Sequence, residues 1–305
     1  ALEARVATAE GRNNDDCPPG WTLDTRDPGF TDPTNNLRRL CRKPLPDGST
    51  DEVVRVGTPP SVFWVDRYEA SVVRATAPYA RVFESDTELS ELPRNGRWNL
   101  ESGVPTALRA PFYARSVSPV APVAPARWVT WFQAMELCRM AGKRLPTGEE
   151  WLTAAMGTDD PGDNNGATNA RCNTGNGSGG ASPAAPRNTG GGSGCRSSWG
   201  AQDMIGNLWE WTAEWYAGAG NGSTSPGGYV NDGTSVWPTG YGDDRTWNVN
   251  SFVAAGYGVA LGIPSAAFRG GSWGDGLRAG VYSLDLFFGP SFAPSAVGFR
   301  CILRR

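Results

Sequence analysis

The sequence predicts an α+β fold: two helices, short twisted antiparallel sheets and much irregular loop. Three observations lead there. Gly (40), Pro (24) and Trp (13) are abundant in the 305 residues, while long periodic segments are scarce. That is the composition of a loop-rich chain whose core is filled by aromatic bulk. Capping-box spacings occur at Thr130 with Gln133 and at Thr147 with Glu150, each the signature of a helix start. The run from Ser61 to Glu69 is rich in β-formers and partly alternating, which reads as a strand.

Residues 1–60 read as an irregular N-terminal segment, packed on or leading into a domain over 61–305. Turn clusters such as Cys17-Pro18-Pro19-Gly20 and Thr31 to Asn36 carry that reading. After the first strand the pattern weakens from 75 to 126, where Pro119, Pro122 and Pro125 favour an extended approach to the next element. Thr130 opens a helix over Trp131 to Met140 that Gly142 closes; Thr147 opens another through Trp151 to Met156 that Gly157 closes. In the first, Trp131, Met135 and Cys138 fall at i, i+4 and i+7, a face expected to be buried. Residues 157–200 are dominated by Gly, Asn and Ser and are expected to be loop. A loop of that length needs tethering, and Cys172 and Cys195 are placed to supply it. No internal repeat is visible.

The histidine count is zero. This excludes Ser-His-Asp and Cys-His relays, His-ligated zinc or iron, and imidazole as a proton carrier. Net charge is -3, with 28 basic against 31 acidic residues, so there is no electrostatic footprint for nucleic acid or an anionic membrane. Lys43 and Lys143 are the only lysines, which removes most Schiff-base options. No run approaches the roughly 18 apolar residues that direct membrane insertion requires. The cysteines are Cys17, Cys41, Cys138, Cys172, Cys195 and Cys301, with no C-x-x-C pair. Wide spacing without histidine argues against a zinc cluster and for disulfides in an oxidising compartment. The expected pairs are Cys17 with Cys41, Cys138 with Cys301 and Cys172 with Cys195, against the alternative that some are buried thiols. The cysteine content favours an extracytoplasmic, cell-surface or phage-associated protein.

The C-terminal third carries the strongest local patterns: Gly206-Asn207-Leu208-Trp209-Glu210-Trp211-Thr212, Phe268-Arg269-Gly270-Gly271-Ser272-Trp273, and Val297-Gly298-Phe299-Arg300-Cys301. Each reads first as core, with tryptophans packed under turns and paired glycines where backbones approach. Together with the upstream string from Cys138 to Trp151, they resemble the formylglycine-generating-enzyme (sulfatase-modifying factor) family, a variant of the C-type lectin fold. The match runs in order from about residue 60 to 305. It implies the fold without fixing the function, because that fold hosts oxidases, ergothioneine-pathway enzymes and binding proteins alike. The two copper-binding cysteines of the oxidases fall here on Asp275 and Gly280, leaving no soft ligand pair and no nucleophile. The iron branch needs three histidines. No catalytic residue and no catalytic cofactor is therefore expected.

What remains resembles the variable proteins of diversity-generating retroelements, in which error-prone reverse transcription at adenines rewrites codons near the end of the gene. The frame runs from Arg269 to Cys301, with a variable region over about 270–300. Within it Gly276, Ala279, Gly280, Leu284, Leu286, Pro290 and Ser291 look like fixed scaffold. Gly274, Asp275, Arg278, Asp285, Phe287, Phe288, Phe292, Pro294 and Ala296 fall where such templates carry asparagine codons, with Leu277 and Tyr282 as further candidates. None is Met, Trp, Lys, Gln or Glu, the residues that AAC-type randomisation cannot make. Phe287, Phe288 and Phe292, amid Gly, Pro, Ser and Ala, would form an apolar binding patch if exposed; the alternative is that one or two belong to the core. Variable side chains should then be exposed and tolerant, while Trp128, Trp131, Trp151, Trp209, Trp211 and Trp273 hold the fold.

The resemblance also implies a structural Ca²⁺ at the turn of Asp203, Gly206, Leu208 and Glu210, hard oxygen ligands suited to that ion. The alternative is that Glu210 caps local backbone N–H groups. Asn176-Gly177-Ser178 and Asn221-Gly222-Ser223 match the glycosylation sequon. The leading reading is a non-catalytic protein that binds a variant-dependent protein or surface ligand, and not nucleic acid. Against it stand an enzyme of the same fold with a non-standard active site and a structural surface or phage-tail component. A pocket converging perturbed carboxylates or a thiolate would favour the enzyme.

Overall fold

The computed structural model describes residues 17–27, 30, 38–58, 60–75, 81–82, 112–117, 123–161, 171–175, 185–216, 229–230, 246–247, 265–286 and 288–304. Three sheets and two helices organise them. The first sheet runs in the order β1 (Thr22–Leu23), β2 (Leu40–Pro44), β3 (Thr50–Val56), β4 (Phe63–Asp66), β14 (Ile302–Leu303), all antiparallel. The second joins β6 (Arg81–Val82), β5 (Ser71–Arg74) and β7 (Phe112–Arg115). The third has the order β13 (Val297–Phe299), β8 (Trp209–Tyr216), β11 (Ser265–Gly270), β12 (Gly280–Asp285), β10 (Thr246–Trp247), β9 (Tyr229–Val230). Its β13–β8 and β10–β12 pairings are parallel, an exception to the antiparallel expectation.

Within residues 1–60 the chain is less irregular than its turn clusters predict, since β1, β2 and β3 lie there. Charge hides β3 from a hydropathy reading. Its Asp51 and Glu52 are buried, at 3% and 1% exposure, and each is neutralised from elsewhere in the chain. Lys143 Nζ lies 2.7 Å from Asp51 and 2.6 Å from Asp66, and Arg67 Nη1 lies 2.9 Å from Glu52. The run from 61 to 69 holds one strand only from Phe63 to Asp66, and the chain re-enters a second sheet at Ser71.

Both helices form where their capping boxes place them. In α1 (Trp131–Met140), Gln133 N donates to Thr130 Oγ1 at 3.2 Å and Thr130 N to Gln133 Oε1 at 2.9 Å. In α2 (Gly148–Ala155), Glu150 and Thr147 exchange the same bonds at 3.1 and 2.8 Å. Gly142 and Gly157 follow at φ +73° and +78°, a left-handed exit open to glycine. The buried face of α1 is Gln133, Ala134, Leu137 and Cys138, so of the expected Trp131, Met135 and Cys138 only Cys138 is buried. Met135 is 39% exposed and Trp131 half-buried, while Gln133, whose side chain closes the capping box, is buried.

Helix α1 packs on β7 and β8, its Leu137 sharing one core with Phe112, Trp211, Phe268 and Phe299, and α2 sets Trp151 into a second core with Val54, Ile205 and Val281. The three disulfides are Cys17–Cys41, Cys138–Cys301 and Cys172–Cys195, as expected, and no cysteine is free. Cys138–Cys301 closes 163 residues, tying α1 to the last strands and removing entropy from the unfolded chain. Of the six tryptophans expected to carry the fold, Trp151, Trp209 and Trp211 are buried. Trp128, Trp131 and Trp273 are half-buried.

Candidate binding face

The frame from Arg269 to Cys301 folds as strand, turn, strand and strap. Gly270 and Gly271, at φ +96° and +85°, end β11. A Cβ on Gly271 would lie 2.4 Å from that of Ala279, so the close crossing of the turn requires glycine. Asp275 then ties the turn, its Oδ2 accepting from Ser272 N at 2.7 Å and from Ser272 Oγ at 2.6 Å. A 3-10 turn over Gly276–Arg278 leads into β12. Backbone bonds fasten the turn to the layer below: Gly206 N to Gly270 O at 3.1 Å, Trp273 N to Asn207 O at 3.1 Å and Gly276 N to Thr174 O at 2.9 Å. Gly274, Leu277 and Arg278 face solvent, and Asp275 is half-buried.

The strap from 286 to 296 returns beside α1. Ala266 N donates to Phe288 O at 3.1 Å, Trp131 N to Pro290 O at 3.1 Å and Trp209 N to Ala296 O at 2.9 Å. Phe292 stacks on Phe288 at 4.1 Å between centroids, and Phe288 on the buried Phe268 at 5.8 Å. Phe288, Phe292, Pro294 and Ala296 are half-buried, and Phe287 lies outside the described residues. The aromatic patch is therefore continuous with the core.

Asp285 departs from the expected exposure, at 8%. Side chains alternate along β12, with Val281 and Ser283 buried and Tyr282 and Leu284 half-buried. Asp285 shares the inward register of Val281 and Ser283, paired across from Phe268 and Trp247. Among the scaffold positions, Gly276, Ala279, Gly280 and Pro290 are buried, while Leu284 and Leu286 are half-buried and Ser291 is exposed.

One surface feature escaped the sequence reading. Trp131, Phe132 and Trp215 pack edge to face, with centroids 4.9 to 5.6 Å apart, and Trp215 is 41% exposed. Trp209, Trp211 and Trp215 share a strand face by period two. The signal was present, but nothing local shows that Trp215 is the exposed one.

Beneath the turn lies a buried charged centre. Arg300 Nε and Nη2 each donate to Glu210 at 2.6 Å, and Trp151 Nε1 donates to Glu210 Oε2 at 2.7 Å. Asp203 Oδ2 accepts from Gly190 N at 2.7 Å and Glu69 Oε1 from Leu208 N at 3.0 Å. Burial pushes the Asp203 carboxyl up to about 7 and Glu69 well above its usual range, while carboxylate neighbours hold Arg300 charged against its own burial.

Glu210 thus caps no local backbone N–H group but forms a buried ion pair with Arg300, which neither supports nor excludes a Ca²⁺ at Asp203, Gly206, Leu208 and Glu210. Among the described residues no group of three or more His, Cys, Asp and Glu is arranged to hold a metal ion. The perturbed carboxylates converge without opening to solvent. A cavity of about 450 Å³, lined by Asp159, Asp160, Pro161, Arg171, Cys172 and Gly194, includes none of them. At the copper positions Asp275 ties the turn and Gly280 is buried. Both sequons fall outside the described residues.

Comparison with solved structures finds similarity at low identity. Major Tropism Determinant U1 Variant is 21% identical over 93% of this chain and 55% of that one, with a TM-score of 0.42. Treponema denticola variable protein 1 is 17% identical over 83% and 96%, at 0.42, and CarF is 16% identical over 82% and 88%, at 0.41. The chain spans about half the length of the Major Tropism Determinant chains it matches. No curated protein matches. The family model for the sulfatase-modifying factor enzyme 1-like domain matches residues 55–305, and with most of its length so covered the chain belongs to the sulfatase-modifying factor family.

Proposed function

We propose that this protein is a non-catalytic ligand-binding protein whose C-terminal region, about 270–300, displays a binding face diversified by a retroelement. One observation carries the reading. Burial leans the way the reading requires: Gly276, Ala279, Gly280 and Pro290, read as fixed, lie inside, while Gly274, Leu277 and Arg278, read as variable, are exposed and Asp275, Tyr282, Phe288, Phe292, Pro294 and Ala296 half-buried; half-buried Leu284 and Leu286, exposed Ser291 and buried Asp285 depart from it. Randomised codons leave a protein folded only where side chains do little for the fold. The ligand is a protein or surface group that differs between variants, met outside the cytoplasm, a setting that three disulfides support. No helix among the described residues is long and apolar enough to cross a membrane. The lack of a free thiol and the closed setting of the buried carboxylates support the non-catalytic side.

The test is genetic. A near-copy of the codons for about residues 270–300, beside a reverse-transcriptase gene and differing at adenines alone, is the expected finding. Differences confined to the scaffold codons, or the lack of both copy and gene, would sink the retroelement reading.

A further inference from the structure

We infer that Asn207 positions the turn of residues 271–279 for binding, an inference that rests on reading 270–300 as a binding face. Asn207 is 1% exposed and sits at φ +60°, a left-handed conformation that asparagine tolerates better than most residues. Its backbone N donates to Asn173 O at 2.7 Å, and its carbonyl accepts from Trp273 N at 3.1 Å. Its side-chain Oδ1 accepts from Asn173 Nδ2 at 3.1 Å and Arg187 N at 2.7 Å. Its Nδ2 donates to Glu69 Oε2 and to Arg187 O, the latter at 3.3 Å. The amide thereby uses both donors and both lone pairs.

One buried side chain consequently locks together three segments distant in sequence, at Glu69, Asn173 and Arg187. The locked layer offers the carbonyls that hold the turn. Asn207 O takes Trp273 N, and Thr174 O, next to Asn173, takes Gly276 N at 2.9 Å. Contact between layer and turn is close enough that a Cβ on Gly175 would lie 1.9 Å from Trp273 O. These holding bonds run through the turn's backbone, so residues 274, 277 and 278 can change without disturbing them. A turn fixed before binding loses less entropy on meeting its ligand, and Asn207 gives that advantage to every variant.

Two variants of the full chain test this. Asn207→Gly keeps the positive φ without strain and deletes the amide; Asn173→Ala deletes one of its partners. Amide hydrogen exchange at Trp273 and Gly276 is read against Leu137 in α1. In parallel, a library randomised at Gly274, Leu277, Arg278 and Tyr282 is selected on streptavidin, and Asn207→Gly is installed in the selected clones. Exchange at Trp273 and Gly276 should rise about tenfold relative to Leu137, as for the loss of a buried hydrogen bond. Streptavidin affinity should fall about tenfold in every clone whatever its turn sequence, and Asn173→Ala should shift the exchange ratio less, in the same direction. An unchanged ratio, or unchanged affinities, would assign Asn207 to global stability alone and overturn the inference. Should Asn207→Gly make exchange uniformly fast, Leu137 included, the ratio in Asn173→Ala decides. A library that yields no binder counts against the binding reading, while the exchange ratio still reports on Asn207.

Discussion

The turn of residues 271–279 and the strap of residues 286–296 belong to one variable frame but differ in how far side chains help to hold them. Backbone groups fix the turn: Gly270, Trp273 and Gly276 bond to the layer below, and Leu277 and Arg278 point away. The strap adds side chains to its backbone bonds, with Phe292 on Phe288 and Phe288 on the core residue Phe268. A backbone-held loop is indifferent to most of its side chains. One stacked on the core is not, since each ring removed leaves a gap that neighbours only partly refill. Positions grouped together by sequence should therefore divide when they are mutated.

The largest effect belongs beneath the strap. Trp211 is fully buried, lies edge to face with Phe268 at 4.9 Å and donates Nε1 to Val129 O at 2.9 Å. Trp211→Ala should lower unfolding free energy by about 3–5 kcal/mol, read by denaturant titration. Phe288→Ala, half-buried on the same Phe268, should cost about 2 kcal/mol. A loss within about 0.5 kcal/mol would show that the strap, too, is held by backbone alone. For the turn, Asp275→Ala removes both bonds to Ser272 and should cost about 1 kcal/mol. Half-buried and turned back onto Ser272, that carboxylate has a structural task within the turn.

Acidity should also separate the two loops. Residues 286–296 contain no titratable side chain, whereas the layer under the turn contains Glu69 and Asp203. Burial raises both, Asp203 from 3.8 to about 7. The folded state keeps protons that the unfolded chain releases above about pH 4, so this contribution to stability is present at low pH and lost as pH rises through about 7. Protection factors of Trp273 and Gly276, corrected for intrinsic exchange, should fall between pH 5 and 8 while that of Phe292 holds. An equal fall at Phe292 would mean that the loops share one support.

What could be read from sequence was local. Thr130 with Gln133 and Thr147 with Glu150 fix both helices because each box spans a single turn. The glycines at 270 and 271 mark a crossing that nothing larger fits. The missed features depend on distant partners. β3 stayed hidden because Asp51 and Glu52 look exposed until Lys143 and Arg67 arrive from elsewhere in the chain. The Glu210–Arg300 pair went unseen because the two residues lie 90 positions apart. Asp285 was placed outside by counting along a template frame, when strand register turns it inward with Val281 and Ser283.

The smallest effects are the most telling. Leu277 is 37% exposed, and Arg278 is exposed at the end of the same 3-10 turn. An L-residue at either site needs no special φ, because Gly276, at +58°, takes the left-handed step. Leu277→Asn and Arg278→Asn should thus each change unfolding free energy by no more than about ±0.5 kcal/mol. Made together they should still add, because neither holds the bonds at Trp273 and Gly276. If the pair lost more than the sum, those side chains would be supporting the turn from outside. The distinction between a backbone-held loop and a side-chain-held one would then fail where it is most demanding.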